Sequence, residues 1–255
     1  MRKKIIYICF VRYIVVAERM TIHQAVILAG GMGKRMKASA GAKAKELPKP
    51  LLEVNGTPII ARNIAKLAER YVDIAVVINP KDRKIFEKTL ADYDVEYIYQ
   101  NEPKGTANAL YCAKDFITEG LFLVMMGDDI ADYSIDRLLQ ISEPTVFGFE
   151  VEDVSGWGAI VTDENGMVED IVEKQRSGKG IVNTAVYVMP REFFEIYKQI
   201  PIDAKSGEYF LTAIFRIFRE RGVRFRLKRL DNWFGINTQE ELERADRTLK
   251  EGNGE

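Results

Sequence analysis

The chain has 255 residues, of which 47% are hydrophobic and 29% are charged. This length and composition are typical of a globular protein that buries a core without disulfides or structural metals. The 37 basic residues are balanced by 38 acidic ones, and the net charge is −1. This balance excludes a chain-wide basic field that would attract nucleic acid or an anionic membrane.

The first twenty residues are interpreted as an N-terminal extension of doubtful role. Their apolar run, residues 5–11, ends at Arg12. A membrane span needs about 20 apolar residues, and a secretory signal needs a longer run with a cleavage site. Residues 1–20 could instead lie upstream of a natural start at Met20, or form an added edge strand. Residues 21–255 are expected to form one domain.

Short apolar runs alternate with amphipathic stretches up to residue 145. The apolar runs predict four buried strands, at 25–29, 74–78, 95–99 and 121–126. Helical periodicity between these strands predicts helices over 57–70, 81–90 and 106–116. This alternation is typical of an α/β fold with a mostly parallel sheet and helices on both faces.

The pattern changes after residue 145. Four shorter strands are predicted, at 146–151, 159–162, 168–173 and 185–189, with a hairpin turn at Glu164, Asn165 and Gly166. Helices are predicted over 191–199, 209–221 and 239–250. The second half should therefore add a mixed sheet to the first.

Two cysteines and one histidine limit the chemistry that the chain can support. They are too few for a disulfide framework, a four-thiolate zinc site or a multi-histidine metal site. A mechanism with a histidine base would depend on His23 alone. This use of cysteine favours a reducing, cytoplasmic location.

A glycine-rich loop follows the first predicted strand. Gly30, Gly31 and Gly33 leave backbone N–H groups free to face an anion, and Lys34 and Arg35 add positive charge. This pattern is typical of a phosphate-binding loop at the carboxyl edge of a parallel sheet. The loop is not a Walker A motif, which requires Ser or Thr after the lysine, and it lacks the dinucleotide fingerprint.

Together with Pro48-Lys49-Pro50-Leu51-Leu52 and Asn55-Gly56-Thr57-Pro58, this loop resembles the start of the sugar-phosphate nucleotidyltransferases, also called nucleotide-sugar pyrophosphorylases. The similarity continues through most of residues 25–242. It implies a Rossmann-like three-layer sandwich, the nucleotide-diphospho-sugar transferase fold, with an NTP-binding half at 21–145 and a sugar-phosphate-binding half at 146–255. Nothing after Leu242 resembles the C-terminal β-helix that many members carry.

The resemblance implies a reaction in which a sugar 1-phosphate oxygen attacks the α-phosphorus of a nucleoside triphosphate and pyrophosphate leaves. The nucleophile is already anionic near neutral pH, because the second pKa of a phosphate is about 6. Catalysis then requires that two polyanions be held in line and their charge neutralised. A chain with one histidine and no evident nucleophile suits this task.

The resemblance also implies residue roles on the nucleotide side. Arg35 would bind the leaving pyrophosphate, Lys49 would bind near the α-phosphate, and segment 37–46 would form a lid. Gln100 would pair with uracil or thymine, although an amide that turned over could read cytosine. The other implied nucleotide-binding residues are Leu28, Ala29, Gly30, Gly31, Gly33, Gly105 and Thr106.

Mg²⁺ is the implied cofactor, because this ion prefers hard oxygen ligands. Asp128, after the fourth strand, matches the metal-binding acid of the family, and Asn237 matches the second ligand. Each could instead cap a helix.

The sugar 1-phosphate side is also implied by the resemblance. Gly158 would offer backbone to the sugar, Glu173 and Asn183 would bind its hydroxyl or acetamido groups, and Lys174 would bind its phosphate. Thr212 lies in a motif that resembles another sugar-lining segment, although Ala213 replaces the usual acid.

The leading hypothesis is transfer of a nucleotide from UTP or dTTP to glucose 1-phosphate or N-acetylglucosamine 1-phosphate. A cytidylyltransferase acting on choline or inositol phosphate would need the same fold and phosphate chemistry. A non-catalytic nucleotide-sugar-binding regulator is a third hypothesis, disfavoured by the retention of Arg35, Lys49, Asp128 and Asn237. The sequence leaves the base, the acceptor and the oligomeric state open.

Overall fold

The structure is a computed structural model that describes residues 21–31, 33, 36, 47–70, 72–118, 120–173 and 176–251. A nine-stranded mixed sheet lies at the centre of these residues. The extension 1–20 lies outside the described part of the chain.

The strands in chain order are β1 (Gln24–Leu28), β2 (Glu53–Val54), β3 (Thr57–Pro58), β4 (Asp73–Ile78), β5 (Glu96–Tyr99), β6 (Leu121–Met126), β7 (Ile130–Asp132), β8 (Thr145–Val151), β9 (Gly158–Thr162), β10 (Val168–Glu173), β11 (Gly180–Pro190), β12 (Arg226–Arg229) and β13 (Asn232–Phe234). The α-helices are α1 (Ile59–Ala68), α2 (Arg83–Thr89), α3 (Thr106–Tyr111), α4 (Ile135–Leu139), α5 (Phe193–Ile196), α6 (Ile214–Glu220) and α7 (Gln239–Glu251). Short 3₁₀ helices occur at Lys49–Leu51, Pro80–Asp82, Tyr197–Gln199 and Leu211–Ala213.

The first half of the chain supplies a parallel sheet in the order β6-β1-β4-β5. Val26 of β1 lies opposite Ala75 of β4 and Val124 of β6. From the second half, β11 pairs antiparallel with β6 and connects β8, β9, β10 and β12 to the same sheet. The expected α/β fold with a mostly parallel mixed sheet is confirmed.

Both faces of the central strands are covered, because successive side chains of a strand point to opposite faces. In β1, Ala25 and Ile27 belong to one buried cluster, whereas Val26 and Leu28 belong to another. Helix α1 packs on the first cluster and helices α3 and α6 pack on the second. The chain therefore folds as a three-layer sandwich, and continuous apolar runs form its central strands because no face of these strands meets water.

The remaining predicted elements are present with shifted bounds. The helix predicted over 106–116 is an α-helix only over Thr106–Tyr111. The residues that follow form turns with i to i+3 hydrogen bonds, such as the bond from Ala113 N to Leu110 O. Strand β11 begins at Gly180 rather than 185 and carries a register shift between Asn183 and Tyr187. The ribbon formed by β7 and β13 was not predicted, because strands of three residues show no periodicity.

Within the described residues, every helix is too short or too polar to cross a lipid bilayer.

A substitution at Gly148 would test how tightly β8 packs against its neighbours. A Cβ at this position would lie within 3.0 Å of the side chains of Ile181 and Ile160. We expect Gly148→Ala to lower the free energy of unfolding by about 1–3 kcal/mol, because overpacking forces neighbours off their rotamers. Urea denaturation measures the change. Gly120→Ala is the control, since no atom lies within 4 Å of its Cβ position; equal stability of the two variants would contradict this account of the core.

Candidate active site

Four strand ends meet at the carboxyl edge of the parallel sheet. Gly30 follows β1, Asn79 follows β4, Gln100 follows β5 and Asp128 follows β6. Because these strands are parallel neighbours, the residues after them lie around one crevice, which is the usual ligand position in such sheets.

A first cavity of about 190 Å³ opens at this edge. Its wall contains every described residue for which the sequence predicted nucleotide contact: Leu28, Ala29, Gly30, Gly31, Gly33, Lys49, Gln100, Gly105 and Thr106. Glu208 lines the same cavity from the second half of the chain. The structure therefore brings together residues separated by more than two thirds of the chain, from Leu28 to Glu208.

Gly105 is required by the protein's own backbone at the start of α3. Its φ is +95°, and a Cβ would lie 2.5 Å from Tyr209 O. Tyr209 N donates to Lys104 O, and Ala107 N donates to Tyr209 O, at 2.8 and 3.0 Å. The packing of Tyr209 thus explains this glycine independently of any ligand, and it also fixes the segment that carries Glu208.

A second cavity of about 270 Å³ adjoins the first. The predicted sugar-side residues Gly158, Glu173 and Asn183 line it, together with both predicted metal ligands, Asp128 and Asn237. Lys49, Thr106, Met126 and Asp128 line both cavities. The two predicted substrate sites therefore share one wall.

An irregularity in β11 positions Asn183. The register of β11 against β8 shifts between Asn183 and Tyr187, and Ala185 has a φ of +54°. Asn183 Nδ2 donates to the Tyr187 hydroxyl at 2.7 Å, and Asn183 Oδ1 accepts from Ala185 N at 3.1 Å. These two bonds hold the Asn183 amide in one orientation at the wall of the second cavity.

Lys49 and Asp128 form an ion pair where the cavities meet. Lys49 Nζ lies 2.7 Å from Asp128 Oδ2, and the two side chains are 8% and 31% exposed. A buried ammonium needs a charged or polar partner, because leaving it unpaired would be strongly destabilising. The pair therefore holds a cation at the junction of the two cavities.

The β7–β13 ribbon brings Asn237 to the same place. Phe234 of β13 lies opposite Ile130 of β7 in an antiparallel pair. The residues that follow Phe234, up to Asn237, therefore run alongside the residues that precede Ile130, which include Asp128. The N–H of Ile236 donates to Asp129 Oδ1 at 3.2 Å, which ties the two segments together. Residues more than 100 positions apart thus converge on one cavity.

Neither of the two helix-capping alternatives is realised. Thr238 Oγ1 accepts from Glu241 N at 3.2 Å, and Glu241 Oε2 accepts from Thr238 N at 2.9 Å. This reciprocal capping box begins α7 without the side chain of Asn237. Ser134, rather than Asp128, occupies the N-cap position of α4.

Asp128 and Asn237 fit a magnesium ion by the chemistry of their donors. A carboxylate and an amide carbonyl both supply the hard oxygen atoms that Mg²⁺ prefers. The described residues contain no group of three or more His, Cys, Asp or Glu side chains arranged to hold a metal. An ion here would therefore complete its coordination with water or substrate oxygens, as is usual for Mg²⁺.

Residues 24–252 match the model of the nucleotidyl transferase family. The chain belongs to this family. It is 29% identical to Bifunctional protein GlmU of Caldanaerobacter subterraneus subsp. tengcongensis, over 89% of this chain and 51% of that protein. It thus spans about half the length of the curated relatives that it matches.

Solved structures of similar fold include HddC from Yersinia pseudotuberculosis complexed with GMP-PN. It is 26% identical to this chain, with a TM-score of 0.70, over 89% of this chain and 100% of the HddC chain. A Bacillus anthracis protein described as a glucose-1-phosphate thymidylyltransferase, in complex with sucrose, is 24% identical with a TM-score of 0.77. The similarity covers 89% of this chain and 95% of the Bacillus anthracis chain. At this identity the similarity supports the fold alone.

Several residues that the sequence assigned to the site do not line either cavity or lie outside the described part of the chain. Arg35, Lys174 and the predicted lid, 37–46, lie outside the described residues. Thr212 lies in the 3₁₀ helix Leu211–Ala213 and is not among the described residues that line either cavity. Its role on the sugar side stays a prediction.

The wall of the second cavity contains two tryptophans to which the sequence assigned no role, although Trp157 precedes Gly158 in a segment that resembles the sugar side. Trp157 and Trp233 pack edge to face with ring centroids 4.8 Å apart, and both line the cavity. A Cβ at Gly235 would lie 2.5 Å from the Trp233 ring, so the glycine admits this packing. Motif matching pointed to the polar neighbours of these residues, and the aromatic wall becomes evident only once β13 is paired with β7.

Asp129 is a buried carboxyl group next to Asp128 in the wall of the second cavity. Burial, and next the negative charge of Asp128, raise the pKa of Asp129 to about 7. The N–H of Ile236 donates to Oδ1 of Asp129 and partly offsets this increase. The native protein therefore holds a proton on Asp129 at pH values where the unfolded chain, with an Asp pKa of about 4, has lost it.

This shift predicts that stability depends on pH. Because the native state binds the proton more tightly, the free energy of unfolding should fall as the pH rises from about 4 to about 7. Thermal unfolding in EDTA between pH 5 and 8 would measure it, with Asp129→Asn as the matched variant that keeps an acceptor for the Ile236 N–H. We expect the parent to lose roughly 2–3 kcal/mol more than Asp129→Asn over this interval, because each pH unit between the two pKa values is worth about 1.4 kcal/mol. Identical pH profiles would contradict the assignment.

Proposed function

We propose that the chain transfers a nucleoside monophosphate from a nucleoside triphosphate, with UTP or dTTP favoured, to a sugar 1-phosphate and releases pyrophosphate. Glucose 1-phosphate and N-acetylglucosamine 1-phosphate are the favoured acceptors. The observation that carries this proposal is that two adjacent cavities share Lys49 and Asp128 in their walls.

The first cavity would hold the nucleotide and the second the sugar 1-phosphate. An oxygen of the sugar phosphate must reach the α-phosphorus from the side opposite the leaving pyrophosphate. Two cavities that meet at one wall suit this in-line geometry, since each substrate can be positioned independently of the other. Residues 21–145 supply most of the first cavity and residues 146–255 much of the second, within one domain of 21–255.

Lys49 would neutralise charge on the α-phosphate, because its side chain is positively charged and lies in the wall that both cavities share. Arg35 would bind the leaving pyrophosphate and Lys174 the sugar phosphate. Asp128 and Asn237 would hold Mg²⁺, which supplies positive charge to the phosphate oxygens when bound. No protein nucleophile or general base is needed, since the attacking phosphate is already anionic near neutral pH.

A solved structure of similar fold supports nucleotide binding by this chain. The Yersinia pseudotuberculosis structure contains GMP-PN and is similar over 89% of this chain. Bifunctional protein GlmU is similar over the same share of the chain. We place the reaction in the cytoplasm, because two cysteines in 255 residues suit a reducing compartment.

Pyrophosphate release with a panel of substrates tests this function. The panel would combine UTP, dTTP, GTP, CTP and ATP with glucose 1-phosphate, N-acetylglucosamine 1-phosphate, phosphocholine and inositol phosphate, each with Mg²⁺. We expect the fastest release with UTP or dTTP and a hexose 1-phosphate. Release with CTP and phosphocholine or inositol phosphate alone would identify a cytidylyltransferase. Nucleotide-sugar binding without any release would identify a regulator, and either result would contradict the proposal.

Asp128→Asn tests the metal role. The amide keeps the size of Asp128 and an acceptor for Lys49 Nζ, so the variant should fold, but it loses the charge that holds Mg²⁺. We expect kcat to fall at least about 100-fold at fixed Mg²⁺. Asp132→Asn is the control, because Asp132 lies on β7 with a 64% exposed side chain and should leave kcat within twofold of the parent. A parent-like kcat for Asp128→Asn would remove Asp128 from the metal site.

A further inference from the structure

The amide of Gln100 is held in a single orientation by the protein. Gln100 is 5% exposed, and its Nε2 donates to Gly105 O at 3.1 Å and to Asn108 Oδ1 at 2.9 Å. A backbone carbonyl can only accept a hydrogen bond, so the group that faces Gly105 O must be the NH₂ of the amide. The contact with Gly105 O therefore fixes which end of the amide carries nitrogen.

The orientation is then transmitted to Asn108 and Tyr197. Since Gln100 Nε2 donates to the oxygen of Asn108, the nitrogen of Asn108 must face away, and it donates to the Tyr197 hydroxyl at 3.1 Å. Tyr197 is 8% exposed, and its ring stacks on Tyr111 with centroids 4.2 Å apart and lies 5.6 Å from the ring of Tyr209. This packing gives the hydroxyl a fixed position.

The oxygen of Gln100 faces the first cavity. A Cβ on Gly30 would lie 3.3 Å from Gln100 Oε1, and both residues line the cavity. Among the residues that the structure describes, none donates to this oxygen. The side chain of Gln100 therefore offers its oxygen to the cavity as a hydrogen-bond acceptor. Its nitrogen faces Gly105 O and Asn108 Oδ1 and offers the cavity no donor.

Turning the amide over would place its oxygen 3.1 Å from Gly105 O, with no hydrogen between two acceptors. Asn108 would also have to turn over in order to donate to the new oxygen. Both changes would occur around a side chain that is almost wholly buried, where an unsatisfied carbonyl is costly. The side chain of Gln100 can therefore accept a hydrogen bond from a nucleobase but cannot turn over to donate one.

We propose that Asn108 and Tyr197 are positioning residues that, with Gly105 O, fix Gln100 as an acceptor and restrict the nucleotide to bases with a ring N–H beside a carbonyl. Uracil and thymine carry this group at N3 and guanine carries it at N1. Cytosine and adenine have a lone pair at the corresponding ring nitrogen, which would face the lone pairs of Oε1. This inference rests on the proposed function, because it assigns the base to the first cavity.

The test compares nucleotide selectivity in matched variants. For each protein, kcat/KM would be measured with UTP, dTTP, GTP, CTP and ATP at saturating sugar 1-phosphate, and the Kd for UTP and CTP would be measured by calorimetry. Asn108→Ala removes one bond to the amide of Gln100. Asn108→Asp keeps an acceptor for Gln100 Nε2. Tyr197→Phe removes the hydroxyl that orients Asn108 but keeps the stacked ring, and Tyr111→Phe removes a hydroxyl from the other ring of the stack.

The parent should prefer its best ring N–H nucleotide over CTP by about 100-fold or more, since an unpaired buried acceptor discriminates strongly. Asn108→Ala and Tyr197→Phe should lower this ratio about three- to tenfold, which corresponds to one hydrogen bond. Asn108→Asp and Tyr111→Phe should keep the parental ratio. A merely structural role for Asn108 would lower all kcat/KM values together and leave the ratio unchanged.

Equal use of CTP and UTP by the parent, or an unchanged ratio in Asn108→Ala, would overturn the inference. Failure of the proposed function gives a different result. If no sugar 1-phosphate supports turnover, the calorimetric ratio of Kd values for CTP and UTP still reports the orientation of Gln100, and the same variants should change it in the same direction. If neither UTP nor CTP binds, both proposals are overturned.

Discussion

The ion pair of Lys49 and Asp128 lies in the wall where the two cavities of this member of the nucleotidyl transferase family meet. Its 2.7 Å separation and the burial of Lys49 hold a cation beside a carboxylate at the wall that both cavities share. Either charge alone would be costly to bury, and each is the partner of the other in this wall. In the proposed function the site would act through the placement of charge, because transfer between two phosphate groups requires that their negative charge be neutralised.

Two separate features of the fold place the residues around Asp128. The parallel sheet brings the ends of β1, β5 and β6 to one edge, and these strand ends carry the glycine-rich loop, Gln100 and Asp128. The β7–β13 ribbon then brings Asn237 back to Asp128 from the far end of the chain. The first feature positions the predicted nucleotide side, and the second closes the predicted metal site.

The sequence was sufficient to predict the first feature but not the second. Buried parallel strands read as continuous apolar runs, so β1, β4, β5 and β6 and the loops after them could be located from the sequence. The ribbon has three residues in each strand and pairs segments 100 residues apart, so neither periodicity nor spacing reveals it. The hydrogen bonds that link Gln100 to Asn108 and Asn108 to Tyr197 were likewise not predicted, because only the packing of two separate segments brings these residues together.

A crystal structure with a non-hydrolysable triphosphate analogue, a sugar 1-phosphate and Mn²⁺ in place of Mg²⁺ tests the central claim most directly. Anomalous scattering would locate the ion without reference to the protein coordinates. The account predicts one peak at about 2.2 Å from a carboxylate oxygen of Asp128 and from the side-chain oxygen of Asn237, with the α-phosphate within hydrogen-bond distance of Lys49 Nζ. An ion bound away from Asp128, or a triphosphate that does not reach the wall shared by the two cavities, would contradict it.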